Sequence, residues 1–446
     1  MRINLIDNSY NRNSDGEKFI RDEIAALLPI QGKTIRDLCN ENENLLIFPY
    51  SLSDTDDRIG DQPILNINNT SDKDRATIGT NNIMGFLGVG NLQIKIKSRF
   101  DQNRDDYFLH YMLQKVMSFN LFDLNHNNTQ EDVFDFIMFM FPSFLKAAMR
   151  QGLYSEYQNY KHNDTNIKGP VDIARHIALN IPFVGNVAYS TREYSQDNNM
   201  TELIRHTIEF MKSNKYGQSV LNIDSETVQN VQTIIEHTPN YNKNERSSII
   251  SKNLRMKIHP FYTEYRPLQS LCLQILRMEE IRYGDSEDEL CGILFDGAWL
   301  WEEYVNTILR KIGFNHPENK KGTGRIYIFE NKRGYRYPDF YKDDAVLDAK
   351  YKRLGRCKSV DDVGRDDLHQ VYTYAAALKS KICGFVAPLE EKQQYIPTET
   401  LINTNTTMSL FGIEISKVTK SYSDFCNEMK VFENVFLESI KLSTAK

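Results

Sequence analysis

Apolar positions along this chain follow three successive patterns. In the first hundred residues they come in short runs, at 3–6, 45–48, 83–91 and 92–97, with a Gly90-Asn91 pair between the last two. Runs of this length bounded by turn residues predict strands, and the last two predict a hairpin. Residues 17–28 carry helical spacing, whereas 51–80 are polar, rich in Asp and Asn, and without clear period. From 101 to 285 the spacing is mainly helical, with helices predicted at 105–118, 132–151, 200–212, 226–236 and 265–283 and a strand at 154–160. The apolar stripes at 105–118 and 132–151, the second rich in Phe and Met, read as core rather than as a binding surface. A polar stretch at 284–289 reads as a linker. Beyond it come a helix at 293–311, a strand at 325–329, a hairpin, a helix at 366–380, a strand at 382–387 and a closing helix at 423–442. The predicted class is α/β (α+β) in three parts: an N-terminal α/β unit over 1–100, a mainly helical middle over 101–285, and a mixed central sheet flanked by helices over 286–446.

The predicted hairpin is where chemistry concentrates. Residues 336–352 read RYPDFYKDDAVLDAKYK, with one strand ending in Tyr337-Pro338-Asp339-Phe340, a turn at Lys342-Asp343-Asp344, and a second strand at 345–351. Strand side chains alternate between faces, so Asp348 and Lys350 share one, and the hairpin brings Asp339 beside Asp348. Two carboxylates with an ammonium suit a hard divalent cation. Mg²⁺ takes oxygen ligands, commonly one or two protein carboxylates, and leaves its other positions to water and phosphate. The carbonyl of Ala349 is a further candidate ligand, and Lys350 can orient an attacking water or offset phosphate charge. The pattern, Pro-Asp then Asp-Ala-Lys, resembles the PD-(D/E)XK nuclease motif. A plain charged surface hairpin is the alternative, because Asp-x-Lys alone recurs in most proteins.

The helix that follows adds specificity. Leu368, Val371, Tyr372, Ala375 and Leu378 form an apolar stripe, while Gln370 and Tyr374, four apart, are neighbours on one face. A Gln-x-x-x-Tyr helix behind the hairpin resembles a fourth motif in one branch of these nucleases, where the Gln orders the lysine and the metal-bound water. Otherwise Gln370 is solvated and Tyr374 is packing. Glu302 or Glu303 on the 293–311 helix can supply a further acidic group, or be a solvated helix residue.

Composition narrows the function classes. The chain has 446 residues, 40% hydrophobic and 26% charged, with net charge −6. Those values fit a soluble globular protein of several domains. No run approaches the ~18 apolar residues of a membrane span, and the first residues lack the apolar core of a signal peptide, which points to the cytoplasm. Six scattered cysteines with no CxxC pair read as reduced structural thiols. The glycines at 85, 88 and 90 precede no G-K-[ST], so no phosphate loop is visible. Although the chain is acidic overall, residues 320–358 hold twelve Lys or Arg against five acids. A basic rim around an acidic site fits a phosphodiester substrate, and a solvated lysine-rich face is the bland alternative. His176 and His206 read as buried or capping, Arg192 as a surface ion pair.

Several segments together resemble the McrC family, nuclease subunits of McrBC- and LlaJI-type modification-dependent restriction systems. They are Ile167-Lys168-Gly169 with Asp172-Ile173-Ala174, Tyr189 to Asn199, Leu300-Trp301-Glu302-Glu303-Tyr304-Val305, Asp339 with Asp348-Ala349-Lys350, and Gln370 to Tyr374. The resemblance spans roughly residues 100–446 and matches the first hundred least well. It implies a PD-(D/E)XK nuclease domain over 286–446 and Mg²⁺-dependent cleavage of double-stranded, methylated DNA. The implied roles are metal binding for Asp339, Asp348 and Glu302, catalysis for Asp339, Asp348, Lys350 and Gln370, and DNA binding for Lys352 and Tyr374. It also implies an AAA+ McrB-like GTPase ring as partner, with GTP bound only there, and docking into that ring by the N-terminal part, which stimulates hydrolysis. Two other readings stand beside it: a non-catalytic regulatory subunit of that GTPase, and a stand-alone repair-type PD-(D/E)XK nuclease.

Overall fold

A computed structural model describes residues 2–12, 19–20, 24–25, 27–41, 45–49, 60–69, 75–89, 92–101, 106–117, 131–214, 217–255, 259–283, 290–317, 324–417 and 419–444. The Gly90-Asn91 turn and the 284–289 linker fall outside these residues. The chain divides into two compact units, Met1–Thr129 with Glu287–Lys446, and Gln130–Ser286. The class is mixed α/β, as the patterning predicts.

The first unit holds two five-stranded sheets. One has the order Arg2–Ile6, Leu92–Lys97, Ile83–Val89, Leu290–Asp296, Leu45–Phe48. Strands from the first hundred residues and the strand at 290–296 therefore share one sheet, although the patterning separates 1–100 from 286–446. The predicted helix at 293–311 is corrected here: Leu290–Asp296 is a strand and the helix is Gly297–Leu309. Ile293, Leu294 and Phe295 are all buried, and an apolar run buried on both faces has no period that tells strand from helix. Asp296 ends the strand and caps the helix, its side chain accepting from the Ala298 N–H at 2.9 Å. Gly85 has a structural use in this sheet. Its φ is +132°, and a Cβ there would lie 2.2 Å from the Ile293 carbonyl oxygen. A smaller sheet gathers Tyr10–Asn11, Phe19–Ile20 and Leu65–Asn69 on Arg75–Thr80. Phe19–Ile20 is thus strand where a helix over 17–28 is expected.

The second sheet runs Phe340–Lys342, Ala345–Ala349, Ile382–Leu389, Thr407–Glu414, Thr398–Thr400. Its central three strands are parallel and its edge strands antiparallel. Ile382–Leu389 is buried at every position, as a central parallel strand covered on both faces must be. The hairpin turns at Asp343-Asp344, with Asp343 at φ +43°, a left-handed conformation that Asp tolerates. Helix Arg365–Leu378 buries Val371, Tyr374 and Ala375, while Tyr372, expected in the apolar stripe, is 46% exposed. Helix Tyr422–Thr444 ends the described chain.

The second unit is built on helices Glu131–Met149, Asn199–Ser213, Ser225–Glu236 and Tyr265–Tyr283, with shorter ones between. An antiparallel ribbon, Glu156–Asp164 with Val187–Ser195, carries the helix Ile173–Asn180 between its strands. His206 is buried against Tyr241, and burial pushes its imidazole down to about 4. His176 Nδ1 lies 3.4 Å from the Ala188 N–H. Arg192, expected to pair with an acid, stacks over the Tyr157 ring at 4.7 Å instead. Among the described residues no helix is long and apolar enough to cross a membrane.

Candidate active site

The site lies at one end of the second sheet, where the hairpin, the helix Arg365–Leu378 and the helix Gly297–Leu309 meet. Phe340 pairs with Leu347 in the antiparallel register, so the next step outward sets Asp339 against Asp348. Oδ2 of Asp339 accepts the Ala349 N–H at 2.7 Å, which fixes that carboxylate across the hairpin. Because a strand residue turns its N–H and C=O to the same edge, the Ala349 carbonyl faces the Asp339 side as well. Asp348 is fully buried, and its Oδ1 has no hydrogen-bond partner among the described residues.

Lys350 leaves the strand end with its backbone N–H on the Val386 carbonyl at 2.9 Å. That carbonyl also accepts from Nε1 of the buried Trp301 at 3.0 Å, so the helix Gly297–Leu309 is pinned to the strand end. Lys350 Nζ lies 2.7 Å from Asp348 Oδ2 and 3.5 Å from Asp367 Oδ1, and donates to Gln370 Oε1 at 3.1 Å. Gln370 Nε2 in turn donates to the Tyr374 hydroxyl at 3.1 Å, which donates to the Tyr337 carbonyl at 3.3 Å. A chain of hydrogen bonds thus runs from the lysine through Gln370 and Tyr374 back to Tyr337, just ahead of the hairpin. Tyr374 is 5% exposed, so it supports Gln370 and presents no surface to DNA. Lys352 is exposed but held by Asp367 Oδ2 at 2.5 Å.

Three carboxylates press on one another here. Burial pushes Asp348 up to about 8, and the charge of Asp339 adds to this against the pull of Lys350. Burial, then Glu302, raises Asp339 to about 7. Burial likewise raises Glu302 to about 7, with Glu303 and Asp348 adding and His316 opposing. For Lys350, burial opposes the ammonium, but Asp348 and then Asp339 outweigh it and hold the proton more firmly than usual. The cluster therefore carries more negative charge than its cations offset, the condition a divalent cation relieves.

His316 and Asp367 belong to this site, and the sequence reading gave neither a role. His316 Nδ1 donates to the Asp339 carbonyl at 2.8 Å, its ring lies on Phe340 at 5.2 Å, and Nε2 is 3.6 Å from Glu303 and 3.8 Å from Glu302. Burial works against its cation, yet Glu303 and the Asp339 carbonyl hold its pKa at about 9. It lies between two elements distant in sequence, and no spacing marks it. Asp367 was findable, because it stands three residues before Gln370 on one helix face.

Asp339 and Asp348, with the Ala349 carbonyl and the nearby Glu302, are donors of the type Mg²⁺ takes. The unpartnered oxygen of Asp348 and the raised carboxylates fit such an ion. Among the described residues no three His, Cys, Asp or Glu side chains are grouped closely enough to form a metal cage, and Mg²⁺ sites commonly need only one or two carboxylates.

The fold has relatives among solved structures. A half-complex from a tetradecameric assembly of Thermococcus gammatolerans McrB AAA+ hexamers with bound McrC contains a chain that aligns with TM-score 0.50 at 14% identity, covering 96% of this chain and 99% of that one. The cryo-EM structure of the Thermococcus gammatolerans McrBC complex aligns with TM-score 0.36 at 14% identity, over 72% of this chain and 90% of that one. No curated protein matches in sequence. The family model described as McrBC 5-methylcytosine restriction system component matches residues 78–386, well over half of the chain and the whole of the site just described. This chain belongs to that family of McrBC restriction-system components.

Proposed function

We propose that the chain is the nuclease subunit of a modification-dependent restriction complex and hydrolyses DNA phosphodiesters with Mg²⁺. The observation that carries this reading is the meeting of Asp339, Asp348, Lys350 and Gln370 at one sheet end, in the order and spacing of a PD-(D/E)XK site. Asp339 and Asp348, with the Ala349 carbonyl and Glu302, would hold the metal. When bound, Mg²⁺ lowers the pKa of a coordinated water and offsets charge on the scissile phosphate. Lys350 adds its own charge to that phosphate, in a pocket where such a charge is worth more than in water. Gln370 holds the Lys350 ammonium in place, and Tyr374 holds Gln370. His316 fixes the backbone at Asp339 and balances Glu302 and Glu303.

The partner in this reading is an AAA+ GTPase ring. The family membership and the fold shared with a chain from a McrB–McrC assembly support it. GTP binds only to the ring, and the ring recognises methylated double-stranded DNA. The N-terminal hundred residues dock on the ring and stimulate its hydrolysis. A reconstituted complex carrying Asp348→Ala tests the site: cleavage is lost in this account, and normal cutting by that variant contradicts it.

A further inference from the structure

We propose that the two-stranded ribbon just ahead of Asp339 is an arm that grips duplex DNA beside the carboxylates, which rests on the nuclease reading above. Its strands are Ile326–Tyr327 and Tyr335–Arg336, paired antiparallel. The ladder continues through Ile328 N–H to the Gly334 carbonyl at 3.2 Å and Phe329 N–H to the Arg333 carbonyl at 3.3 Å. The tip is therefore a tight, ordered turn, with Lys332 at φ +56° and Gly334 at φ +64°. At its base Ile326 is buried in the cluster with Val346, Val371 and Tyr374. The Tyr337 carbonyl, just beyond, takes the Tyr374 hydroxyl that ends the chain from Lys350. The ribbon is thus anchored to the same side chains that order the site.

Its exposed surface is cationic and aromatic. Arg325, Lys332, Arg333 and Arg336 face solvent, and Glu330 is the one acid between 324 and 337. Among the described residues no carboxylate pairs with any of the four cations. The cations on the other side of the site differ, since Lys352 is held by Asp367, and Arg353 and Arg356 by Glu390. Phe329 is 61% exposed and Tyr335 57%, large apolar groups left in water at the tip and along one strand. Unpaired cations interleaved with exposed rings are the chemistry of a nucleic-acid surface, the cations for phosphates and the rings for sugars and base edges. A two-stranded ribbon also has the cross-section that the major groove admits. At ~3.3 Å per extended residue, Arg336 stands roughly 10 Å from Asp339, close enough to hold a phosphate near the scissile one.

The test is fluorescence anisotropy of a short labelled duplex with the full chain, without divalent metal, over a range of salt. The variants are Lys332→Ala/Arg333→Ala/Arg336→Ala together, Phe329→Ala, and Lys441→Ala as a remote charge control. Loss of three phosphate contacts lowers the slope of log affinity against log salt by about 2–3 and weakens binding tenfold or more at moderate salt. Phe329→Ala weakens binding severalfold at unchanged slope, and Lys441→Ala does neither. Melting temperatures within a degree of the parent exclude misfolding as the cause. Ribbon variants that bind with the parent's affinity and slope overturn the proposal, as does a parent chain that binds no duplex or binds only RNA. Cleavage of plasmid by the parent with Mg²⁺ and its partner is scored separately, so a failed nuclease reading and a failed ribbon give different results.

Discussion

Lys350 sits where three demands meet: it offsets Asp348, is oriented by Gln370, and shares Asp367 with Lys352. Replacing it with Ala removes the ammonium paired with Asp348, and the expected loss of cleavage is about 10²–10³-fold, the range seen when a charge-stabilising donor is removed. Gln370→Ala keeps that charge and frees its orientation. About fivefold is expected, since one positioning hydrogen bond is worth roughly 1 kcal/mol. Both are read as single-turnover rates at saturating Mg²⁺. The raised carboxylates also predict a pH dependence of stability. Asp348 titrates near 8 when folded and near 4 when unfolded, so the folded state binds the extra proton between those values. Stability from this group is present at low pH and lost as pH rises through that window. Asp348→Asn without metal is therefore expected to melt above the parent at pH 8 and close to it near pH 4, and a parent that gains stability from pH 5 to 8 counts against this. Asp339, Asp348, Lys350 and Gln370 could be read from the sequence because hairpin register and helix period are local. His316 comes to Asp339 only through folding of a distant segment, and so left no local signal.

Secondary-structure elements fix how closely these residues approach. The Ile382–Leu389 strand lies between the hairpin and Thr407–Glu414, and Gly384 leaves no room for a side chain against its neighbour: a Cβ there would sit 2.1 Å from the Ser409 carbonyl oxygen. Gly384→Ala must therefore spread the central strands, and a loss of several kcal/mol is expected on overpacking grounds, read as a large fall in melting temperature. Gly364→Ala, whose Cβ would meet only the Asp367 side chain at 3.5 Å, is expected to change little. The sequence placed the helices Asn199–Ser213, Ser225–Glu236 and Tyr265–Tyr283 to within a residue or two, because each carries an unbroken apolar stripe. It failed at Leu290–Asp296, where burial on both faces erased the period. It also placed Tyr372 in the apolar stripe, where it is 46% exposed, while Tyr374, offered as packing, is buried and takes the Gln370 hydrogen bond.

At the scale of the molecule, residues distant in sequence complete one another within the first unit. Arg99 is paired to the buried Asp7 and donates to the Tyr351 carbonyl, while its guanidinium lies 4.3 Å over the Tyr351 ring. The Tyr351 hydroxyl meets Ser98 Oγ at 2.6 Å. On another face Glu433 is buried between Tyr111, at 2.7 Å, and Tyr304, at 3.0 Å, with Lys115 at 2.9 Å. Arg99→Ala leaves Asp7 as an uncompensated buried carboxylate, and a loss of about 3–5 kcal/mol is expected. A fragment of residues 286–446 alone lacks the neighbours of the Leu290–Asp296 strand and is not expected to melt cooperatively. Sequence patterning could not reveal this, because a strand's partners are set by tertiary pairing. The central claim is that this family member cuts DNA through Lys350. The most direct measurement incubates methylated and unmethylated plasmid with the chain, Mg²⁺, GTP and the AAA+ partner, using parent and Lys350→Ala chains side by side. The account predicts cutting of the methylated plasmid that needs partner, GTP and Lys350 together. GTPase stimulation by both chains with no Lys350-dependent cutting would contradict it and leave a regulatory subunit instead.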